Sequence, residues 1–106
     1  MISEEQADKA LEYLIGTDKE IAQLKGQMLV KEQLCKIARA SVFKSEGGSV
    51  EMRKAAAELH SSTAQADSEF IIATEAFETM RNRRSTAATI IDMFRTEEAS
   101  RRQGNI

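Results

Sequence analysis

Apolar residues recur at alternating spacings of three and four positions along most of the chain. Nine of eleven such positions are apolar between residues 7 and 42, and eleven of thirteen are apolar between residues 52 and 94. A seven-residue repeat sustained over this length is typical of helices that pack as a coiled coil. The pattern therefore predicts an all-α protein.

The start of the first helix is marked by a capping signal. Ser3 is followed three positions later by Gln6, which is the spacing of a capping box. The apolar repeat then runs without interruption to about residue 45. We therefore expect the first helix over about residues 3–45.

A turn is predicted where two adjacent glycines interrupt the repeat. Gly47 and Gly48 supply the left-handed conformations that end a helix, and Ser49 is a favourable N-cap for the next one. The turn is therefore placed at residues 46–49, and the second helix at about residues 50–102. The weak helix formers from His60 to Thr63 are expected to kink or loosen that helix.

The two apolar stripes match each other when the chain folds back at this turn. Facing positions then sum to 94, which places Cys35 opposite Leu59 and Val42 opposite Met52. No slip of register is needed, and large residues often face small ones. The sequence predicts an antiparallel two-helix hairpin with coiled-coil-like packing, as a single domain over residues 1–106.

A second set of apolar residues lies outside the stripe between the two helices. By the same register, Ile91 faces Ser3 and Phe94 faces no residue, so this end is expected to overhang the N-terminus. Exposed apolar patches of this kind mark partner surfaces, and a second copy would give a homodimeric four-helix bundle. The candidate surface comprises Leu34, Ile37, Ile72, Ile90, Ile91, Met93 and Phe94.

Composition narrows the class of protein further. The chain has 106 residues, a net charge of −2, no proline and one cysteine, so no internal disulfide is expected. Its longest apolar runs are too short to span a membrane, and its acidic N-terminus does not resemble a signal peptide. These features favour a cytoplasmic protein.

Six arginines are concentrated near the end of the chain, and they are the clearest candidates for binding residues in the sequence. The guanidinium group binds carboxylates and phosphates through paired hydrogen bonds. Three interpretations stay open: pairing with nearby glutamates and the helix C-terminus, contact with an acidic protein, or contact with nucleic acid. The candidate contact residues are Arg81, Arg83, Arg84, Arg95, Arg101 and Arg102.

The residues that usually carry catalysis are sparse. Cys35 lies in the predicted stripe as a small buried hydrophobe, and His60 is the only histidine and is expected at the surface. No cluster with metal-ligand spacing, phosphate loop or nucleophilic triad occurs. We therefore predict a protein that is not an enzyme and that uses no cofactor and no metal.

Three segments resemble short helical proteins encoded by bacteriophages and prophages. The resemblance is carried by residues 75–81, 87–91 and 94–102, the last reading Phe-Arg-Thr-Glu-Glu-Ala-Ser-Arg-Arg. Phe94 stands where tryptophan is expected in that group. The resemblance implies a setting in the cytoplasm of the bacterial host, near recombination or early genes, and it transfers no active site.

The predicted function is that of a non-enzymatic phage accessory protein. It would act through a host or phage protein and modulate DNA recombination, replication or host defence. One alternative is a dimer that binds nucleic acid directly through the arginines. Another is a structural or scaffold component of the phage.

Overall fold

The computed structural model describes residues 1–104, of which 92% are helical. Within this range the order of elements is α1 (Glu4–Ser45), α2 (Val50–Leu59) and α3 (Ser61–Gly104). No strand occurs among these 104 residues. The prediction of an all-α protein is confirmed.

The N-terminus of α1 is fixed by the capping box that the sequence predicts. The hydroxyl of Ser3 accepts a hydrogen bond from the backbone N–H of Gln6 at 3.1 Å, and the side chain of Gln6 accepts one from the N–H of Ser3 at 2.8 Å. Two backbone donors that a helix start leaves without a partner are thereby satisfied. The helix begins where the sequence places it.

The turn between α1 and α2 also follows the predicted chemistry. Gly48 has a φ of 102°, a conformation that glycine adopts at little cost because it has no Cβ. The hydroxyl of Ser49 then caps α2 by accepting from the N–H of Met52 at 3.2 Å. The boundaries at Ser45 and Val50 agree with the predicted turn at residues 46–49.

The second predicted helix is divided at His60, so the single helix expected over residues 50–102 is two helices in the structure. His60 has a ψ of 143°, which is an extended conformation. Its ring Nδ1 lies 3.1 Å from the backbone N of Ser62, and its carbonyl accepts from the N–H of Ala64. His60 thus ends α2 and caps α3, a stronger interruption than the predicted kink.

The division at His60 overturns part of the predicted facing register. Met52 and Leu59 are 64% and 86% exposed, although the repeat places them between the helices. Ala57 is buried in their place, because the extended residue resets the rotation of α2 relative to α3. Consistent with this change, Cys35 is buried, whereas Leu59, its predicted partner, is exposed.

The chain forms two compact units, and each brings part of α1 against part of α3. The terminal unit is Met1–Ala22 with α3 from Glu78 onward, and the turn unit is Gln23–Phe77. The buried apolar residues of the terminal unit are Ala7, Ala10 and Ala87. Those of the turn unit are Cys35, Val42, Ala57 and Phe77, together with the polar Thr63.

α2 is held against the end of α1 by one arginine. The Nε of Arg53 donates to the carbonyl of Phe43 at 3.0 Å, and its guanidinium carbon lies 4.4 Å from the centre of the Phe43 ring. The contact combines a hydrogen bond to the last turn of α1 with a cation–π interaction. It fixes the direction in which α2 leaves the turn.

Candidate functional site

Arg84 is engaged within the fold of the terminal unit. Its guanidinium donates to the carbonyl of Leu14 at 2.7 Å, the hydroxyl of Thr17 at 2.6 Å and a carboxylate oxygen of Asp18 at 2.6 Å. Facing positions that sum to 94 predict Arg84 opposite Ala10, and the observed contacts lie one to two helical turns further along α1. Of the six candidate contact residues, Arg84 is the one that the fold uses most fully.

Two more of the candidate arginines pair with glutamates on their own helix. Arg81 lies 3.4 Å from a carboxylate oxygen of Glu78, and Arg101 pairs with Glu98. Both pairs join residues three apart, and their arginine side chains are about 60% exposed. Exposed pairs of this kind contribute little to stability, so these two arginines stay accessible to a partner.

The remaining three arginines, Arg83, Arg95 and Arg102, are exposed. Within residues 1–104 no ion pair joins any of them to a carboxylate. Arg95 and Arg102 also line a groove of about 510 Å³ at the end of α3. The groove is formed by Glu4, Phe94, Arg95, Glu98, Ala99, Arg101 and Arg102, so it combines three arginines with two glutamates and one aromatic ring.

The apolar overhang expected beside these arginines is largely covered in the structure. The N–H of Ile2 donates to a carboxylate oxygen of Glu97 at 2.9 Å, which holds the N-terminal residues against the end of α3. Ile90, Ile91 and Phe94 are half-buried, because the register differs by one to two turns from the predicted one. The prediction that Phe94 faces no residue is therefore wrong, since it lines a second groove with Ile2 and its neighbours.

The other residues of the predicted apolar surface are exposed as expected. Leu34 is 39% exposed and Ile37 52% in α1, while Ile72 is 63% and Met93 47% in α3. Leu34, Ile37 and Ile72 belong to the turn unit, and Met93 belongs to the terminal unit. The candidate surface therefore consists of exposed residues in each unit rather than of an uncovered helix end.

A polar cluster in the turn unit was not predicted from the sequence. Both terminal nitrogens of Arg39 donate to the carboxylate of Asp67, at 2.9 and 2.7 Å, and its Nε donates to Glu58 at 2.8 Å. Arg39 thereby connects α1 with α2 and α3 on both sides of the interruption at His60. The one signal in the sequence was that Arg39 is the only arginine of α1, whose other basic residues are lysines.

Contacts within this cluster lower the pKa of one member and raise the pKa of two others. Hydrogen bonds from Arg39 hold the pKa of the Asp67 carboxyl below its usual range, and those to Asp67 and Glu58 raise the pKa of Arg39. Burial, reinforced by the negative charge of Asp67, raises the pKa of the Cys35 thiol. The thiol is 5% exposed and held in its protonated form, so it has the character of the buried hydrophobe that the sequence predicts.

The structure brings together few groups with catalytic or metal-binding potential. His60 is exposed, and its ring is engaged in capping α3. No group of three or more histidine, cysteine, aspartate or glutamate side chains among the described residues has the geometry to hold a metal ion. None of the described helices combines the length and the apolar character that crossing a membrane requires.

Comparison of the chain with protein-family models, with curated proteins and with solved structures gave no match.

Proposed function

We propose that this chain is a non-enzymatic interaction protein that binds a partner through the arginine-rich end of α3. The observation that carries the proposal is the exposure of Arg95 and Arg102 beside Phe94 in one groove. Arginine next to an aromatic surface is a frequent component of the residues that dominate binding energy. An acidic segment of another protein fits this surface, because its carboxylates would pair with guanidinium groups that the fold leaves exposed.

The architecture proposed for the whole chain is an antiparallel helical hairpin that dimerises into a four-helix bundle. The contacts within each unit support this arrangement: Ile2 with Glu97 in the terminal unit, and Lys31 with Glu69 in the turn unit, at 3.3 Å. Ile2, just before α1, meets a residue late in α3, whereas Lys31, further along α1, meets a residue early in α3. The apolar side chains left exposed in both units support self-association.

The biological setting that we propose follows from the resemblance to phage-encoded helical proteins. In the cytoplasm of an infected bacterium, the protein would act on a host or phage protein of DNA recombination, replication or defence. The resemblance in residues 75–102 supports this setting. The groove at Arg95 and Arg102 supports binding as the mode of action.

The experiment compares two arginine variants in capture of partners from host lysate. Arg95→Ala with Arg102→Ala removes the two guanidinium groups of the groove that have no carboxylate partner among residues 1–104, and Arg81→Ala removes one that lies outside the groove. A partner identified by mass spectrometry should be lost from the first variant and retained by the second, at equal helical content by circular dichroism. Equal recovery of that partner with the first variant and the unaltered protein would place the binding surface elsewhere.

Direct nucleic-acid binding is tested by a separate measurement, the dependence of affinity on salt. Three phosphate contacts, one each for Arg83, Arg95 and Arg102, predict a slope of about −2.7 in log affinity against log salt. Affinity for a duplex of mixed sequence, measured by fluorescence anisotropy, should then fall about 40-fold between about 50 and 200 mM salt. A flat salt dependence would leave an acidic protein as the proposed partner.

A further inference from the structure

We propose that α1 and α3 pack in either of two registers one heptad apart, and that straightening the chain at His60 interconverts them. In the observed register, facing inner positions, which are the positions of the apolar repeat between the helices, sum to 101. In the alternative register they sum to 94, and α2 and α3 form one helix. The inference goes beyond the proposed function, and its tests use no partner.

The observed register can be read from contacts in each unit by itself. In the terminal unit, Arg84 donates to the hydroxyl of Thr17 at 2.6 Å, and the numbers of these two inner positions sum to 101. In the turn unit, Lys31 pairs with Glu69 at 3.3 Å, a sum of 100. Seven residues separate the observed register from the sum of 94 that the turn at residues 46–49 predicts. A repeat of seven residues keeps the same side chains at inner positions in both registers.

Four polar residues at inner positions distinguish the two registers. Polar side chains between packed helices fix the register, because each is stable only opposite a suitable partner. Thr17 faces Arg84 in the observed register, where they are hydrogen-bonded. Lys31 and Thr63 face each other only in the alternative register, since their numbers sum to 94. The four residues therefore form two pairs, and each pair specifies a different register.

Thr63 is left without a hydrogen bond in the observed register. It is 1% exposed, and its hydroxyl has no hydrogen-bond partner among residues 1–104. A buried hydroxyl without a partner is costly. If the helix continued through His60, this hydroxyl could donate to the carbonyl of Leu59, four residues earlier. Five other threonines of α1 and α3 donate in this way.

α2 exposes two large apolar side chains that a straight helix would cover. Met52 and Leu59 occupy inner positions of a repeat that continues across His60, yet they are 64% and 86% exposed. In the alternative register they face Val42 and Cys35, each of which is 5% exposed in the structure. The continuous repeat is expected of a chain that also adopts the straight form.

The interruption at His60 is one residue wide and depends on few contacts. Its φ of −71° is already helical, so ψ, at 143°, is the angle that must change. The extended conformation is held by the ring, whose Nδ1 lies 3.1 Å from the backbone N of Ser62. It is also held by Arg39, which binds Glu58 of α2 at 2.8 Å. A single cap and an exposed ion pair are each of modest strength.

Straightening changes the register because the turn is short. Only residues 46–49 separate α1 from α2, and helices joined so closely face each other at positions that sum to about 94. When α2 is straight, α3 continues it and takes the same register. The bend at His60 frees α3 from this constraint, so the observed sum is one heptad larger.

The change of register uncovers Phe94. α3 is one uninterrupted helix from Ser61 to Gly104, so a shift of seven residues displaces its end by about 10 Å. Phe94 faces Ala7 in the observed register, whereas in the alternative it lies beyond the start of α1. Its ring then becomes accessible beside Arg95, with which it lines a groove in the structure.

Disulfides to Cys35 test the two registers in the turn unit. Ala66→Cys faces Cys35 in the observed register and Leu59→Cys faces it in the alternative, and a disulfide requires Cα atoms about 5.5–6 Å apart. In a glutathione redox buffer, both variants should form a disulfide within one chain, identified by mass spectrometry, with Leu59→Cys the slower. A disulfide from Ala66→Cys and none from Leu59→Cys would overturn the proposal.

A second pair of cysteines distinguishes a change of register from local fraying of α2. In a Cys35→Ala background, Ala87→Cys is combined with Leu14→Cys for the observed register and with Ala7→Cys for the alternative. Fraying of α2 explains a disulfide between positions 35 and 59 but not one between positions 7 and 87. Both combinations should form disulfides within one chain. Absence of the disulfide between positions 7 and 87 would overturn the change of register.

Two adjacent substitutions should move the equilibrium in opposite directions. His60→Ala removes the ring cap and supplies the best helix former, so the disulfides of the alternative register should form about 10-fold faster. Ser61→Pro preserves the interruption, because proline is favoured at the first position of a helix and requires an extended residue before it. It should abolish the same disulfides and leave the one between positions 35 and 66 unchanged. Equal rates in the two variants, at helical contents that circular dichroism shows to be native-like, would overturn the role of His60.

Labelling at position 94 tests the exposure of the α3 end without any disulfide. In a Cys35→Ala background, Phe94→Cys should react with a maleimide faster when combined with His60→Ala than when combined with Ser61→Pro. The control Ile71→Cys, at a position that is 56% exposed, should react equally in both. Equal reactivity at position 94 in the two backgrounds would overturn the displacement of α3. None of these measurements depends on partner binding by Arg95 and Arg102, so the proposed function stands or falls separately.

Discussion

The terminal unit and the turn unit use arginine in different ways to join α1 with α3. In the terminal unit, Arg84 lies in the apolar stripe itself and reaches a carbonyl, a hydroxyl and a carboxylate of α1. In the turn unit, Arg39 lies beside the stripe, next to Cys35, and binds Asp67 and Glu58. An arginine can therefore take the place of an apolar residue between two helices when its neighbours are small. It can also join the helices by hydrogen bonds from a position beside the apolar stripe.

The difference in core residues explains this contrast. The described residues that the terminal unit buries are all alanines, so the long side chain of Arg84 fills space between the helices while its head group remains hydrogen-bonded. In the turn unit, the neighbours of Arg39 along the stripe of α1 are the buried apolar residues Cys35 and Val42. Its arginine accordingly remains at the edge, where it also holds the short α2 through Glu58.

The largest expected effect is the loss of the aromatic side chain in the turn unit. Phe77→Ala removes the largest buried side chain and should lower the free energy of unfolding by about 3–5 kcal/mol. Ile71→Ala, at an exposed position, is the control and should cost less than about 1 kcal/mol. Chemical denaturation at fixed protein concentration measures both, and equal losses would show that Phe77 is not a core residue.

A smaller loss of stability is expected when Arg84 of the terminal unit is replaced. Arg84→Ala leaves Thr17 and Asp18 without their donor and should destabilise the fold by about 1–3 kcal/mol. Arg84→Met, which keeps the length and adds an apolar layer, should recover most of that loss. The exposed Arg81→Ala should change stability by less than about 0.5 kcal/mol. An Arg84→Met variant as unstable as Arg84→Ala would show that the charge, rather than the packing, is what stabilises this layer.

The third effect is a pH dependence confined to the turn unit. The pKa of Asp67 is lower in the folded chain than its ordinary value of about 3.9. Its ionised form therefore stabilises the fold above about pH 4, and this contribution is lost as the pH falls through the lowered pKa. Thermal unfolding should show the unaltered protein more stable than Asp67→Asn at neutral pH, with the difference shrinking in acid. A constant difference across that range would contradict the ion pair with Arg39.

Much of the fold could be predicted from the sequence because its signals are local. Ser3 with Gln6 and Ser49 with Met52 lie three residues apart, and each cap depends only on nearby backbone. Residues 63–94 follow the predicted repeat throughout, since every predicted inner position in α3 is buried or half-buried. The repeat is sufficient there because no interruption alters its rotation.

The features that could not be predicted depend on the interruption at His60. A histidine ring that caps a helix leaves no mark in an apolar repeat, so the repeat predicts Met52 and Leu59 in the interior. The interruption also brings Arg39 to Asp67, which lie 28 positions apart in the chain. Long-range pairs of this kind require the register, which the pattern fixes only to within one to two turns.

Sedimentation equilibrium of the unaltered protein over about 1–100 µM tests the central claim most directly. The central claim is that the chain self-associates through apolar side chains that both units leave exposed. It predicts a mass that rises with concentration to twice the 11.8 kDa of the chain. A mass that stays at 11.8 kDa over the whole range would contradict it.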